Sequence, residues 1–150
     1  MTAGARAAVV AVATVAVDQA AKALVRGTIE RGEHVDVIPG IDLVNVRNRG
    51  IAFGLFSDGG ALLVVFAALA LAALLVFFVR HSSTRLVWLP TGLLIGGAAG
   101  NLIDRARDGA VTDYIDLPMW PAFNLADVAI TLGVLALLYV LEGPLRHERR

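Results

Sequence analysis

The chain has 150 residues, no net charge and no cysteine, and 57% of its residues are hydrophobic while only 17% are charged. A soluble domain carries roughly 25% charged residues, because its surface must be covered with polar groups. This composition, with a mean hydropathy of +0.73, therefore indicates a membrane protein with a single domain over residues 1–150. The lack of cysteine excludes disulfides and thiolate chemistry. The balanced charge argues against nucleic-acid binding, and the scattered histidines argue against a metal site.

Four apolar stretches predict four transmembrane helices, since a bilayer-spanning helix needs about 17–25 residues. They are Ala7–Val25, Gly60–Val79, Leu86–Ile103 and Asn124–Leu141. The third contains the small-residue run Gly96–Gly100, which would let a neighbouring helix approach closely. The first stretch has an alternative interpretation as a cleaved signal peptide, with a basic residue ahead of its apolar part.

The loops between these stretches predict the topology. An even number of spans places both termini and the short loop Arg80–Arg85 on one side, where basic residues are dense, so we expect that side to be cytoplasmic. In the first outward-facing loop, β-branched runs at Val35–Ile38 and Ile41–Val46 flank a Pro-Gly turn. The expected fold is an all-α polytopic membrane protein with four transmembrane helices and a small extracytoplasmic β cradle.

Charged residues within the spans are costly and are usually paired or functional. Asp18 and Lys22 are four residues apart, so they share a helix face and form either a structural salt bridge or the support of a polar cavity. Asn124 and Asp127 begin the fourth span, where an N-cap and a first-turn acid are favoured for structural reasons alone. The position of Asp127 one turn inside an apolar span favours a functional role.

The second outward-facing loop contains another candidate acid. If the segment from Val111 to Leu117 is extended, alternate residues share a face, and Asp113 lies on the apolar face. Asp116 then lies on the polar face with Thr112 and Tyr114. An acid on a buried face needs a partner or a function, so Asp113 is the better catalytic candidate.

Asp113 and Asp127 flank the point at which the chain re-enters the membrane. Two neighbouring carboxyls share one proton because both cannot ionise, so one would activate a water molecule and the other would polarise a carbonyl. This is aspartic-protease chemistry, and it leads to the expectation that no metal or other cofactor is needed. The sequence argues against serine chemistry, because Ser57, Ser82 and Ser83 lack a nucleophile-elbow motif.

Two other functions fit the same charged residues. A small proton-coupled transporter would use Asp18, Lys22 and Asp127 as an intramembrane relay and would tolerate changes at Asp113. A non-catalytic membrane scaffold would use its acids only as helix caps, so that Asp127→Asn would be nearly silent. From the residues alone, the transporter ranks ahead of the protease.

Five short strings favour the protease. In chain order they are Val17–Lys22, Asn48–Phe53, Gly100–Arg105, Val111–Asp113 and Phe123–Asp127. Together with the length and the four spans, they resemble lipoprotein signal peptidase, the type II signal peptidase of bacteria. The resemblance implies an aspartic endopeptidase of the bacterial cytoplasmic (inner) membrane, with its active site toward the outer face. It would remove signal peptides from diacylglyceryl-modified prolipoproteins by cutting before the lipidated cysteine.

The resemblance also implies roles for individual residues. Asp113 and Asp127 match the catalytic pair of the family. Four further residues match polar positions that line the active site and the substrate groove: Asn48, Asn101, Arg105 and Asn124. Supporting positions are matched by Asp18, Lys22 and Gly50. The implied partners are lipidated prolipoproteins, membrane lipids and globomycin-type peptide antibiotics, without a metal or nucleic acid. Ile51 and Thr112 depart from the family pattern, and we expect them to alter groove packing.

Overall fold

The computed structural model describes residues 1–49, 60–81 and 86–145, which form a mostly helical protein with a small antiparallel sheet. In chain order the elements are α1 (Ala3–Thr28), β1 (His34–Ile38), β2 (Ile41–Asn48), α2 (Gly60–His81), α3 (Trp88–Asp108), β3 (Val111–Leu117), β4 (Trp120–Phe123) and α4 (Leu125–Leu145). Each of the four apolar stretches overlaps one helix.

Two of the described helices are long and apolar enough to cross a membrane, namely α1 and the segment Leu125–Glu142 of α4. Within α2, the segment Ala68–His81 is a shorter apolar helix. The helices expose large hydrophobic side chains, which include Leu69 and Leu75 on α2 and Leu132, Leu135 and Leu138 on α4. Apolar surface exposed to this extent is typical of contact with lipid.

The sheet has the strand order β1-β2-β3-β4. The predicted hairpin is confirmed: β1 and β2 are antiparallel, and the turn between them contains Gly40 at a φ of 83°, a value that favours glycine. The sheet is larger than the hairpin, because β2 also pairs with β3, and Val46 lies opposite Asp113. The outer strand β4 was not predicted. Through these pairings, strands from both outward-facing loops form a single sheet.

Glycines in α3 explain how the helices pack. A Cβ atom on Gly96 would lie 2.6 Å from the Cβ of Thr14 in α1. A Cβ atom on Gly97 would lie 2.5 Å from the carbonyl oxygen of Ala126 in α4. The absence of side chains at these positions lets α3 contact α1 on one side and α4 on the other, which confirms the close approach predicted for the glycine run.

The first half of β3 is buried on both faces. Tyr114 packs with Val25 of α1 and with Ile29, which directly follows α1, and its neighbours Thr112 and Asp113 are also buried. The prediction that Asp113 lies on a buried face is confirmed. The expectation that Thr112 and Tyr114 form a polar face is wrong, because this face of the strand is covered by α1. The packing fixes β3 against the helices.

Candidate active site

Asp113 lies in β3 and is almost completely buried, with 3% of its surface exposed. Both of its carboxyl oxygens accept hydrogen bonds from side-chain amides. Oδ1 accepts from Nδ2 of Asn124 at 2.7 Å, and Oδ2 accepts from Nδ2 of Asn48 at 3.0 Å. Burial raises the pKa of Asp113 to about 6, and the charge of Asp127 acts in the same direction, while the two amide hydrogen bonds oppose the rise. Asp113 can therefore hold a proton near neutral pH.

Asp127 lies in the first turn of α4 and is held in a reciprocal cap. Its backbone N–H donates to Oδ1 of Asn124 at 3.0 Å, and its Oδ2 accepts from the backbone N–H of Asn124 at 3.2 Å. The predicted N-cap role of Asn124 is confirmed by these contacts. Oδ1 of Asp127 accepts from Nδ2 of Asn101 at 2.8 Å, so Asn101 binds the oxygen that the cap leaves available.

Asn124 joins the two acids. Its side-chain nitrogen donates to Asp113 and, at 3.2 Å, to Oδ1 of Asn101, while its backbone nitrogen donates to Asp127. Among the described residues, neither Asp113 nor Asp127 forms an ion pair with a basic side chain. The two carboxyls are thus held by neutral amides, which fix their positions without neutralising a charge. This arrangement leaves both groups able to exchange protons.

Lys22 determines the orientation of Asn101. The Nζ atom is fully buried and lies 2.9 Å from Oδ2 of Asp18, 3.2 Å from Oδ2 of Asp104 and 2.9 Å from Oδ1 of Asn101. An ammonium group has three donors and no acceptor, so these three acceptors use all of its protons. Asn101 must therefore turn its oxygen toward Lys22, and its amide nitrogen then points to Asp127.

The two carboxylates around Lys22 also fasten the elements that carry the acids. Oδ1 of Asp18 accepts from the backbone N–H of Ala126 at 3.0 Å, which ties α1 to the start of α4. Oδ2 of Asp104 accepts from the backbone N–H of Thr112 at 3.1 Å, which ties α3 to β3. The salt bridge predicted between Asp18 and Lys22 is confirmed. It belongs to a network that positions both β3 and α4.

Two apolar grooves meet at Asp127. The helix groove, of about 500 Å³, lies among α2, α3 and α4 and is lined by Ala70, Leu71, Leu74, Leu94, Ala98, Asn101, Arg105, Asp127 and Ile130. The hairpin groove, of about 410 Å³, lies between β4 and α4 and is lined by Trp120, Pro121, Ala122, Phe123, Asp127, Val128, Thr131 and Leu132. Asp127 is therefore reached from two sides by apolar channels, as a substrate with long apolar parts would require.

The comparisons with known proteins identify the family. The profile of the signal peptidase (SPase) II family matches residues 10–142. This chain belongs to the signal peptidase II family. It is 38% identical over 134 residues to the lipoprotein signal peptidase of Halothermothrix orenii, covering 89% of this chain and 92% of the relative. It is 44% identical over 137 residues to that of Syntrophomonas wolfei, covering 90% and 92%.

Solved structures agree with this assignment. A bacterial membrane enzyme determined by the in meso method at 2.3 Å superposes with a TM-score of 0.85 at 30% identity, covering 96% of this chain and 91% of the other. A second such enzyme, at 1.9 Å, gives a TM-score of 0.84 at 32% identity, covering 91% and 92%. As a signal peptidase II, the protein is a membrane protease that cleaves lipoprotein signal peptides. Nothing in these similarities supports the transporter hypothesis.

The fold brings most of the site residues suggested by the resemblance to one place in this signal peptidase II. Asn48, Asn101 and Asn124 all contact one or both acids. Arg105 lines the helix groove, and its guanidinium donates to the carbonyl oxygen of Asn101 at 3.4 Å. Gly50, a suggested supporting residue, lies outside the described residues, as does Ile51.

Sequence reasoning missed two members of the network. Gln19 donates to Oδ1 of Asp104 at 3.0 Å and to the carbonyl oxygen of Gly100 at 3.1 Å. Asp104 had no predicted role, although it follows Asn101 by three residues and Gly100 by four. That spacing places Asp104 on the helix face that carries the small residues, and it was the available signal.

Away from the acids, the described residues include one group that could hold a metal ion, formed by His34, Asp42 and Asp116 with ligand atoms within 4.8 Å of one another. His34 Nδ1 lies 3.4 Å from Oδ2 of Asp116, and the imidazole is more than half exposed. The group shares no residue with either groove at Asp127. That catalysis needs no metal stays a prediction.

Proposed function

We propose that Asp113 and Asp127 are the catalytic dyad of an aspartic endopeptidase. The observation that carries the proposal is the shared contact with Asn124, which holds one acid of β3 and one acid of α4, neither of which forms an ion pair with another described residue. Two carboxyls held side by side share a proton and act as an acid and a base. The hydrogen-bonding amides fix both groups before the substrate arrives, which reduces reorganisation during the reaction.

The environments of the two acids assign their roles. Asp113 is buried and its raised pKa favours the protonated form, so its carboxyl group donates a hydrogen bond to the carbonyl oxygen of the scissile bond. Asp127 is partly exposed and lines both grooves, so its carboxylate takes a proton from water. The resulting hydroxide adds to the carbonyl carbon. As it adds, Asp113 transfers its proton to the carbonyl oxygen, which gives a tetrahedral gem-diol. Collapse of this intermediate breaks the C–N bond, Asp127 gives its proton to the amine, and Asp113 takes a proton back from one hydroxyl of the gem-diol, which leaves the carboxylic acid product.

We assign Asn101 a positioning role in place of the substrate-binding role that the resemblance implies. Its oxygen accepts from Lys22 and Asn124, and its nitrogen donates to Asp127. These contacts leave the Asn101 side chain little hydrogen-bonding capacity for a substrate. Arg105 lines the helix groove and remains available as a substrate-binding residue, because its hydrogen bond to the carbonyl oxygen of Asn101 is long, at 3.4 Å.

The topology we propose has four spans, with α1 to α4 crossing the bacterial cytoplasmic membrane and both termini in the cytoplasm. This topology is supported by the four described helices, two of which are long and apolar enough to cross a membrane, and by their exposed apolar side chains. The acids then lie near the outer surface with the sheet, where water can enter while the lipid stays in the bilayer. Residues 1–150 act as one peptidase domain.

The proposed substrate is a prolipoprotein whose cysteine carries a diacylglyceryl group, and the cut falls just before that cysteine. Globomycin-type peptides would bind in the same grooves as competitive inhibitors. The test uses purified protein in detergent with a diacylglyceryl-modified prolipoprotein and the same precursor without lipid. Mass spectrometry should show one cut, before the cysteine, in the lipidated precursor alone. Equal cleavage of both precursors would contradict the proposed substrate class.

A further inference from the structure

The hairpin groove has the chemistry of a site for a hydrocarbon chain. Of the side chains that line it, only those of Asp127 and Thr131 carry oxygen atoms. The Thr131 hydroxyl donates to the carbonyl oxygen of Asp127 at 2.9 Å, so its proton is already used. Apart from the Asp127 carboxylate at its end, which is an acceptor, and the indole N–H of the exposed Trp120, the described lining of the groove offers a polar ligand no further free side-chain donor. Its volume of about 410 Å³ is in the range of small-molecule sites.

A second observation argues against a peptide strand as the occupant. β4 is the outer strand of the described sheet, and such an edge can accept an extended peptide through backbone hydrogen bonds. However, β4 spans only Trp120–Phe123 and contains Pro121, which has no backbone N–H. The strand is too short and too poor in donors to hold an extended peptide.

The groove is continuous with the surface that would face lipid. Leu132 lines its wall on α4 and is 53% exposed, and Leu135 and Leu138 continue the same side of the helix with more than half of their surfaces exposed. On the opposite wall Trp120 is 66% exposed, a position that suits the membrane interface. A chain anchored in the bilayer can thus follow α4 to Asp127 without crossing polar surface.

The two grooves differ in the shape of ligand that they admit. The helix groove is lined on α2 and α3 by the small residues Ala70 and Ala98, which allow another helix to approach closely. The hairpin groove is lined on β4 by the bulky side chains of Trp120 and Phe123. Bulky side chains disfavour the close approach of a helix about 10 Å wide, whereas a single extended hydrocarbon chain needs less room.

We propose that the hairpin groove binds an acyl chain of the diacylglyceryl group on the substrate cysteine. The inference rests on the proposed function. A cut before the lipidated cysteine lies between two apolar parts of the substrate, the signal-peptide helix and the diacylglyceryl group, which leave the scissile bond in different directions. The two grooves that meet at Asp127 accommodate these parts separately. The groove between β4 and α4 then determines the preference for acyl-chain length, independently of the binding of the signal-peptide helix.

The experiment compares two substrates of identical peptide sequence, one with palmitoyl chains and one with butanoyl chains. In the wild type the palmitoyl substrate should have the lower KM. Ala122→Trp fills the groove and should raise the KM for the palmitoyl substrate about tenfold or more, because excluding even two methylene groups has this effect. The KM for the butanoyl substrate should change less than twofold. Val12→Trp, at an exposed position of α1 away from the groove and from α4, is the matched control and should affect neither substrate.

A second variant covers the case in which Ala122→Trp does not fold. Phe123→Ala removes one wall of the groove and should also raise the KM for the palmitoyl substrate alone. A wild type that does not distinguish the two chain lengths, or variants that alter both substrates equally, would overturn the inference and leave the protease assignment intact. Absence of cleavage of both substrates by folded wild type would instead overturn the proposed function.

Discussion

Replacing Asn48 by leucine should change the pH dependence of cleavage in a defined direction. The side chain of Asn48 donates to Oδ2 of Asp113 at 3.0 Å, and this hydrogen bond lowers the pKa of an acid that burial raises to about 6. Leucine has a similar volume but cannot donate. The Asn48→Leu variant should therefore hold the Asp113 proton to higher pH than the wild type does.

The size of the change follows from the energy of the hydrogen bond. A hydrogen bond to a charged group contributes about 1.5–3 kcal/mol, and a change of one pH unit in pKa corresponds to about 1.4 kcal/mol. Since the donor from Asn124 remains at 2.7 Å, we expect the lower part of this range, a rise of about one pH unit. The pKa of Asp113 would then be about 7 in the variant.

The assay is the pH profile of kcat/KM, which reports ionisations of the free enzyme. If Asp113 must be protonated, kcat/KM of the wild type should fall as the pH rises through about 6. This falling limb should lie about one pH unit higher in Asn48→Leu. Thr112→Val is the matched control, because the Thr112 hydroxyl accepts from Arg26 and does not contact Asp113. A limb that stays in place, or moves to lower pH, would refute the role given to Asp113.

Three further predictions concern stability. Because the pKa of Asp113 is raised in the folded state, its protonation stabilises the fold at low pH and this stabilisation is lost as the pH rises through about 6. Between pH 5 and 7 the wild type should lose about 1 kcal/mol of unfolding free energy relative to Asp113→Asn, and an unchanged difference in Tm would contradict this. Gly97→Ala should cost about 1–3 kcal/mol, since its Cβ would meet the Ala126 carbonyl at 2.5 Å, whereas Gly27→Ala meets nothing within 4 Å and should be neutral or stabilising in thermal unfolding. Lys22→Met should lower the unfolding free energy by about 3–5 kcal/mol, because it leaves the buried Asp18 without its cation and leaves Asp104 with only the more distant Arg26 and Arg107, at 3.9 and 4.0 Å; a loss below about 1 kcal/mol would show that the network is dispensable.

The helices and the first hairpin could be predicted because their signals are local. Uninterrupted apolar stretches fixed the approximate extents of α2 and α4, and β-branched runs around a Pro-Gly turn predicted β1 and β2. The Asp18–Lys22 pair followed from helical spacing within one element. Alternation along an extended segment correctly predicted that Asp113 is buried, but it did not predict that the opposite face of β3 is buried as well.

What could not be predicted depends on contacts between distant parts of the chain. Asp104 accepts from Thr112 and pairs with Lys22, and its spacing from Gly100 indicates the helix face on which it lies but not these distant partners. β4 has only four residues and includes a proline, so its local preference for a strand is weak. It forms a strand because it pairs with β3. The covering of Thr112 by α1 likewise arises from tertiary packing. The roles of the acids came from resemblance, since spacing alone allows any two carboxylates to be paired.

The most direct test of the account is single-turnover cleavage of a diacylglyceryl-modified prolipoprotein by the wild type, Asp113→Asn and Asp127→Asn. Asp108→Asn serves as the matched control, because Asp108 pairs with Arg107 at 2.9 Å and does not line either groove. Thermal unfolding in the same detergent verifies that each variant is folded. The account predicts that the wild type and Asp108→Asn cleave at similar rates, while both dyad variants lose activity because an amide cannot exchange the proton. Cleavage at a rate near that of the wild type by either folded dyad variant would contradict the assignment of the catalytic pair.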